Sequence, residues 1–162
     1  MIRIKRIIVP IDFSPAAANA LKYAIAVALD YNAKVFLVHI IEDMGFNAGF
    51  SLASTPVIEQ YHHGMEDIVK KRLQEVILPD SKQPIEVERV VVTGKPFLEI
   101  LRMAKEESAD LIVMATHGTT GKRHVHLGST LERVVSRASC PVLAVHLADH
   151  DRPLETGGLV AS

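Results

Sequence analysis

Apolar residues recur along this chain in two alternating rhythms. Five short continuous runs are separated by longer stretches in which apolar positions return every three or four residues. The first run, Ile7-Ile-Val-Pro10, ends at Asp12-Phe-Ser14-Pro15, where Ser14 can cap a helix and Pro15 suits its first position. Leu21, Ala24, Ile25, Ala28 and Leu29 follow at helical spacing, and Asn32 closes that stripe. Lys34 to Ile41 is too continuously apolar to have a wet face, which predicts a strand covered on both sides. Glu42 to Pro56, rich in Gly, Asn, Ser and Ala, has no period and reads as a loop. Ile58, Tyr61, Met65, Ile68, Val69, Leu73 and Val76 form the next helical stripe, ended by Pro79-Asp80. Ile85 to Thr93 predicts a third strand, and Gly94-Lys95-Pro96 opens a helix carrying Phe97, Ile100, Leu101 and Ala104 on one side. Ala109 to Ala115 is a fourth strand. A last helix starts at Ser129, where Ser129 and Glu132 match an S-x-x-E capping box and Leu131, Val134, Val135 and Ala138 face the sheet. Pro141 to His146 completes the set.

Five strands joined by four helical crossovers predict an α/β fold: a doubly wound parallel sheet with helices on both faces. A chain of 162 residues with 48% hydrophobic content fits one compact domain, burying about two-thirds of its unfolded surface. Residues 148–162 carry no period and include Gly157-Gly158, so they read as a mobile tail behind a domain of residues 1–147. Lys and Arg total 18 against 19 Asp and Glu, a net charge of -1. No global field is therefore available to hold nucleic acid or an anionic membrane, and an anion must be bound by local geometry. The single Cys140 excludes an internal disulfide and reads as a small buried hydrophobe. The first apolar run is too short for a signal peptide, and none approaches the roughly 20 residues of a membrane helix. The expected location is the cytoplasm.

In doubly wound sheets the ligand crevice lies at the carboxyl ends of the strands, where the winding reverses. If the first strand is central with the fourth beside it, the Pro10 to Asp12 turn faces the Met114 to Gly118 turn. Leu111 to Gly118, then nine residues, then Gly128-Ser-Thr130-Leu-Glu132 describes a buried strand that enters a helix through a bare backbone turn. Such a turn points N–H groups and the positive end of a helix dipole at one place, which suits a phosphate. The N–H groups of Gly128, Ser129 and Thr130 and the hydroxyls of Ser129 and Thr130 are the candidate donors. Lys122 and Arg123 can reach a polyphosphate, although two solvated loop cations serve equally as the default. Asp12 can accept from a ribose hydroxyl or an adenine amine, or supply polarity near a helix start. Ile40 and Met114 offer an apolar slot for a base, or are core.

Gly118-Thr-Thr-Gly121-Lys122 is not a Walker A loop, since its glycine spacing is wrong and Arg123 stands where Ser or Thr is required. The Gly-x-Gly-x-x-Gly fingerprint is absent too. His62-His63 and His124-x-His126 lack the accompanying ligand spacing of a zinc site, so no metal site is assigned. His117 is the better candidate because it borders the phosphate loop. No nucleophile elbow, carboxylate pair or water-positioning residue emerges, so no catalytic residue is assigned and at most weak hydrolysis of a bound nucleotide is expected. Phe46 and Phe50 can cover a ligand or a partner, or fold back on the body.

Val9-Pro10-Ile11-Asp12-Phe13-Ser14, Val38-His39-Ile40, Gly94-Lys95-Pro96, the Met114 to Thr130 segment and Pro141 to Val145 together resemble a universal stress protein domain, over about Ile4 to His146. The most specific element is that family's nucleotide motif of glycine, two residues, glycine, nine residues, then glycine with Ser or Thr. Here it reads Ala115-Thr-His-Gly118, nine residues, Gly128-Ser129, with Ala115 in place of the first glycine. The resemblance implies a Rossmann-like sheet of strand order 3-2-1-4-5. It implies an adenine and ribose site around Pro10, Ile11, Asp12 and Ile40, and a phosphate site at His117, Gly118, Gly128, Ser129 and Thr130. It also implies a homodimer formed by strand five, at Val142, Leu143 and Val145. An uncovered apolar edge strand invites such pairing on physical grounds. The leading expectation is an ATP-binding regulatory protein of the stress response, the triphosphate accompanied by Mg2+ because two loop cations do not neutralise it. A dimeric interaction module of the same fold that uses no nucleotide is the alternative, favoured by the Ala115 methyl and the loop aromatics. An unidentified regulated protein is a further partner on either reading.

Overall fold

Successive side chains of a strand point to opposite faces, so a strand apolar at every position needs cover on both. In the computed structural model, which describes residues 1–42, 55–76, 78, 84–117 and 128–146 (backbone alone over 55–63), that cover is present. The elements run β1 (Arg6–Pro10), α1 (Pro15–Tyr31), β2 (Lys34–Glu42), α2 (Thr55–Gln74), β3 (Val87–Gly94), α3 (Pro96–Glu106), β4 (Leu111–Ala115), α4 (Ser129–Val135) and β5 (Val142–Val145). The strands form one parallel sheet in the order β3-β2-β1-β4-β5. Element order, strand order and the doubly wound class are as the sequence and the family resemblance led one to expect.

Ile7, Val9, Ile11, Val35, Leu37, Val113 and Val145 pack on one face against α1 and Leu73 of α2. Ile8, Phe36, Val38, Ile112 and Met114 pack on the other, against Ile100, Met103 and Ala104 of α3 and Leu131 and Val134 of α4. The inner side of α1 is mostly alanine (Ala17, Ala20, Ala24 and Ala28), which lets that helix lie close to the sheet. Ser14 caps it as expected, with the Ala17 N–H donating to Ser14 Oγ (3.1 Å). Asn32 closes it in the left-handed conformation (φ 52°), its N–H donating to the Ala28 carbonyl. At the mouth of α3, Gly94 has φ 156°, and a Cβ there would lie 2.8 Å from Glu99 Cγ, so the turn takes no side chain.

Several expectations change. The capping box on α4 does not form: the Glu132 N–H donates to the Gly128 carbonyl (3.0 Å), so Gly128 is the N-cap and Ser129 already lies inside the helix. The Ser129 and Glu132 pair is thus shifted by one residue from the positions that a box requires. Val135 is 52% exposed, because the seven-residue α4 presents only the Leu131 and Val134 side to the sheet. Ile68 is 64% exposed for a similar reason, as α2 docks through Val69 and Leu73 and leaves its flank in solvent. Strand ends shift by one or two residues from the expected boundaries. Cys140 is half-buried, and burial pushes its thiol pKa up. Residues 43–54 with Phe46 and Phe50, residues 118–127, the tail 148–162 and the side chains of His62 and His63 lie outside the described residues. No helix among the described residues is long and apolar enough to cross a membrane.

Candidate functional site

In a parallel sheet, alternate residues of a strand turn their backbone groups to alternate neighbours. The Asp110 N–H donates to the Arg6 carbonyl (2.9 Å) and the Ile11 N–H to the Val38 carbonyl (2.8 Å), so even-numbered residues of β1 face β4 and odd-numbered ones face β2. Pro10 falls on the β4 side and has no N–H to give. Pairing of β1 with β4 accordingly stops with Ile8 opposite Ile112, whereas β1 pairs with β2 as far as Pro10 opposite Val38 and β4 with β5 as far as Ala115 opposite Val145. The two central strand ends run on unpaired with each other, at the point where the winding reverses. In such a sheet the ligand crevice is expected outside the carboxyl ends at that point.

One wall is the turn after β1. The Ser14 N–H donates to Asp12 Oδ1 (2.9 Å), which fixes the carboxylate at the head of α1. Phe13 between them has φ 63°, a left-handed conformation unusual for an aromatic residue. His39 Nδ1 lies 2.8 Å from the Ile11 carbonyl oxygen. A carbonyl only accepts, so the His39 proton is on Nδ1. Burial pushes the His39 pKa below its usual value, the Arg72 charge acts in the same direction, and the Ile11 carbonyl and Asp12 oppose them.

The other wall is the exit of β4. Thr116, 2% exposed, receives the Gly128 N–H on its carbonyl (2.9 Å) and donates its own N–H to Val145 (3.0 Å). This pins the start of α4 to the end of β4, and a Cβ on Gly128 would meet the Thr116 carbonyl oxygen at 3.2 Å. The Gly128 N–H is therefore engaged, a correction to its expected role as a phosphate donor. Ser129 and Thr130 lie in the first turn, whose N–H groups have no acceptor within a helix. Thr116 Oγ1 also lies 3.0 Å from His117 Nδ1 and 3.0 Å from His146 Nδ1.

Of the expected site residues, Pro10, Asp12, Ala115, His117, Gly128, Ser129 and Thr130 thus gather around the ends of β1 and β4. Ile11 is 5% exposed with its side chain in the α1-side core, and its N–H and carbonyl are taken up by Val38 and His39 of β2. Met114 is 6% exposed and Ile40 half-buried, both toward the α3 and α4 side. Ala115 packs its methyl against the opposite core, beneath α1. Gly118 and Arg123 lie outside the described residues. Among the described residues no group of three or more His, Cys, Asp or Glu could hold a metal ion.

The sequence model of the universal stress protein family matches residues 3–146. The chain belongs to the universal stress protein family. A relative from Methanocaldococcus jannaschii, itself a universal stress protein, is 31% identical over 141 residues, 87% of this chain and 81% of that one. The solved structure of universal stress protein UspA from Lactobacillus plantarum has a TM-score of 0.68 at 26% identity, covering 88% of this chain and 98% of that one. A universal stress protein in complex with cAMP shares the fold, with a TM-score of 0.59 at 22% identity over 90% of this chain and 99% of that one. In this universal stress protein the sequence reading missed Thr116, His39, Arg72 and His146. Thr116 stands inside the glycine motif as an unspecified residue, and the other three gain meaning only through contacts between distant elements.

Proposed function

We propose that this universal stress protein binds an adenine nucleotide, ATP in the first instance, and acts as a regulatory protein whose ligand occupancy alters its surface or assembly. The observation that carries this reading is the unpaired end of β1 and β4, with the Asp12 carboxylate on one side and the opening of α4 held on the other. On it, Asp12 accepts from the ribose or the base, and Ile40 borders the base. The Ser129 and Thr130 N–H groups with their hydroxyls receive phosphate oxygens, helped by Gly118, His117 and Arg123. Gly128 contributes by its missing side chain, which lets the helix start sit against Thr116. Magnesium belongs to this reading as the triphosphate's own counter-ion, and no residue of the chain is assigned to it. The cAMP complex of a protein of this fold is consistent support.

The second reading, a dimeric module without nucleotide, draws on Ala115. Its methyl packs under α1 rather than toward Ile40 and Met114, which weakens that objection. Calorimetric titration with ATP decides between the two. Binding with a Kd on the order of micromolar is expected, lost when Gly118 and Gly128 are both replaced by leucine, and a flat wild-type titration overturns the nucleotide reading. Ala115→Gly is expected to leave affinity unchanged and to lower stability by about 0.5–1 kcal/mol, the usual cost of glycine in a strand. A clear gain in affinity would mean that the methyl does obstruct the ligand. Dimerisation through the outer edge of β5 forms part of the same proposal.

A further inference from the structure

Phe13 is an aromatic L-residue at φ 63°, a conformation that persists only where neighbours enforce it. Two side chains from other elements grip its ring. The His39 imidazole from β2 stacks on it with ring centroids 4.6 Å apart and planes at 29°. The Arg72 guanidinium carbon from α2 lies over it at 4.2 Å. The same His39 ring donates from Nδ1 to the carbonyl of Ile11, two residues earlier. The turn is thus fastened at Ile11 by a hydrogen bond and at Phe13 by the two stacked groups. Asp12, between those fastenings, projects its carboxylate toward the Ser14 N–H. Phe13 and Ile11 pack with the core under α1 and α2, on the side of the sheet away from Ile40 and Met114.

We infer that His39 and Arg72 are positioning residues for the nucleotide, a clamp behind the crevice that holds the β1–α1 turn so that Asp12 is presented in place. The inference rests on the nucleotide reading above. Its physical content is that an unclamped Phe13 relaxes out of the left-handed region, which rotates the peptide units on both sides of it and carries Asp12 away from its station. A second helix, α2, thereby gains influence over the site through one guanidinium.

Two measurements on the full chain test this. NMR-detected hydrogen exchange on the ligand-free protein follows the Ser14 amide, which donates to Asp12, against amides of β1 and β4 in the same sample. Arg72→Ala, a change at an exposed residue, and His39→Leu are each expected to speed Ser14 exchange about tenfold relative to those amides. His39→Asn, whose side-chain amide nitrogen takes the place of Nδ1, restores protection toward wild type. ATP titrations of the same proteins are expected to show about tenfold weaker binding for Arg72→Ala and His39→Leu. No further loss is expected when either is combined with Asp12→Ala, as required if they act through that residue. Unchanged Ser14 exchange overturns the clamp. Faster exchange with unchanged ATP affinity, or losses that simply add to that of Asp12→Ala, overturns the positioning role. A wild-type protein that binds no ATP overturns the nucleotide reading and the ligand half of this inference with it, while the exchange data still judge the clamp.

Discussion

His39 concentrates several constraints in one side chain. It stacks on Phe13, donates to Ile11 and stands near both Asp12 and Arg72, half-buried at the end of β2. Burial is the largest influence on its pKa and moves it below 6.5. The unfolded chain therefore takes up a proton at a higher pH than the folded one does. The contribution of neutral His39 to stability is complete above the unfolded value, falls as pH drops from there to the folded value, and levels off below it. Urea midpoints at about pH 7.5 and about pH 5.5 should show a loss at the lower pH, part of which disappears in His39→Asn. An equal loss in both proteins would mean that His39 titrates alike in the two states. In the sequence His39 stands in an apolar run and in one of the segments that carry the family resemblance, but nothing there names its contacts. Its partners come from the first turn and from α2, so its role exists only once β2 lies between them.

At the level of elements, most of what the chain encodes locally could be read locally. The continuous apolar runs of β1, β2 and β4 became strands covered on both faces, Ser14 and Asn32 became the two caps of α1, and Gly94 became the mouth of α3. The misreadings share one cause. Ile68 and Val135 fit their helical stripes, but which flank of an amphipathic helix meets the sheet depends on where the helix docks. The cap of α4 fell on Gly128 rather than Ser129 because a bond to Thr116, a residue of another element, sets where that helix begins. Pro10 makes the same point for the site. Its position at the end of a strand was visible, but not which neighbour its missing N–H faces. Pro10→Ala returns a donor to the β4 side, and the pairing should then extend past Ile8 opposite Ile112 into the crevice. The amide at position 10 is expected to be protected from exchange, and ATP to bind more weakly. An unprotected amide there would show that something other than the proline keeps the two strands apart.

For the whole molecule, the sheet ends in two edges, β3 and β5, and proposed assembly concerns the second. The Ile112 N–H donates to the Pro141 carbonyl and the Thr116 N–H to the Val145 carbonyl, so the backbone of odd-numbered residues there is turned inward to β4. Val142 and Ala144 turn theirs outward. Val145 is buried in the chain's own core, Val142 is half-buried, and Leu143 is 36% exposed, so among the described residues the Leu143 side chain stands beside the outward backbone groups of this strand. Ala144→Pro removes an outward N–H without touching the inner ladder. Sedimentation should show a dimer for the wild type and a monomer for this variant, at unchanged circular dichroism. A dimer that survives would move the interface elsewhere.

The crevice and this edge meet at Thr116, which joins β4, β5 and α4, while Asn19 of α1 donates to the His146 carbonyl (3.1 Å) beside it. An alcohol owns a single hydrogen, yet two imidazole Nδ1 atoms approach this one. They cannot both be its acceptors, so at least one ring must carry Nδ1–H. While that ring is uncharged, its Nε2 carries no hydrogen and can only accept, and tautomeric choice at His117 and at His146 becomes a shared matter rather than two private ones.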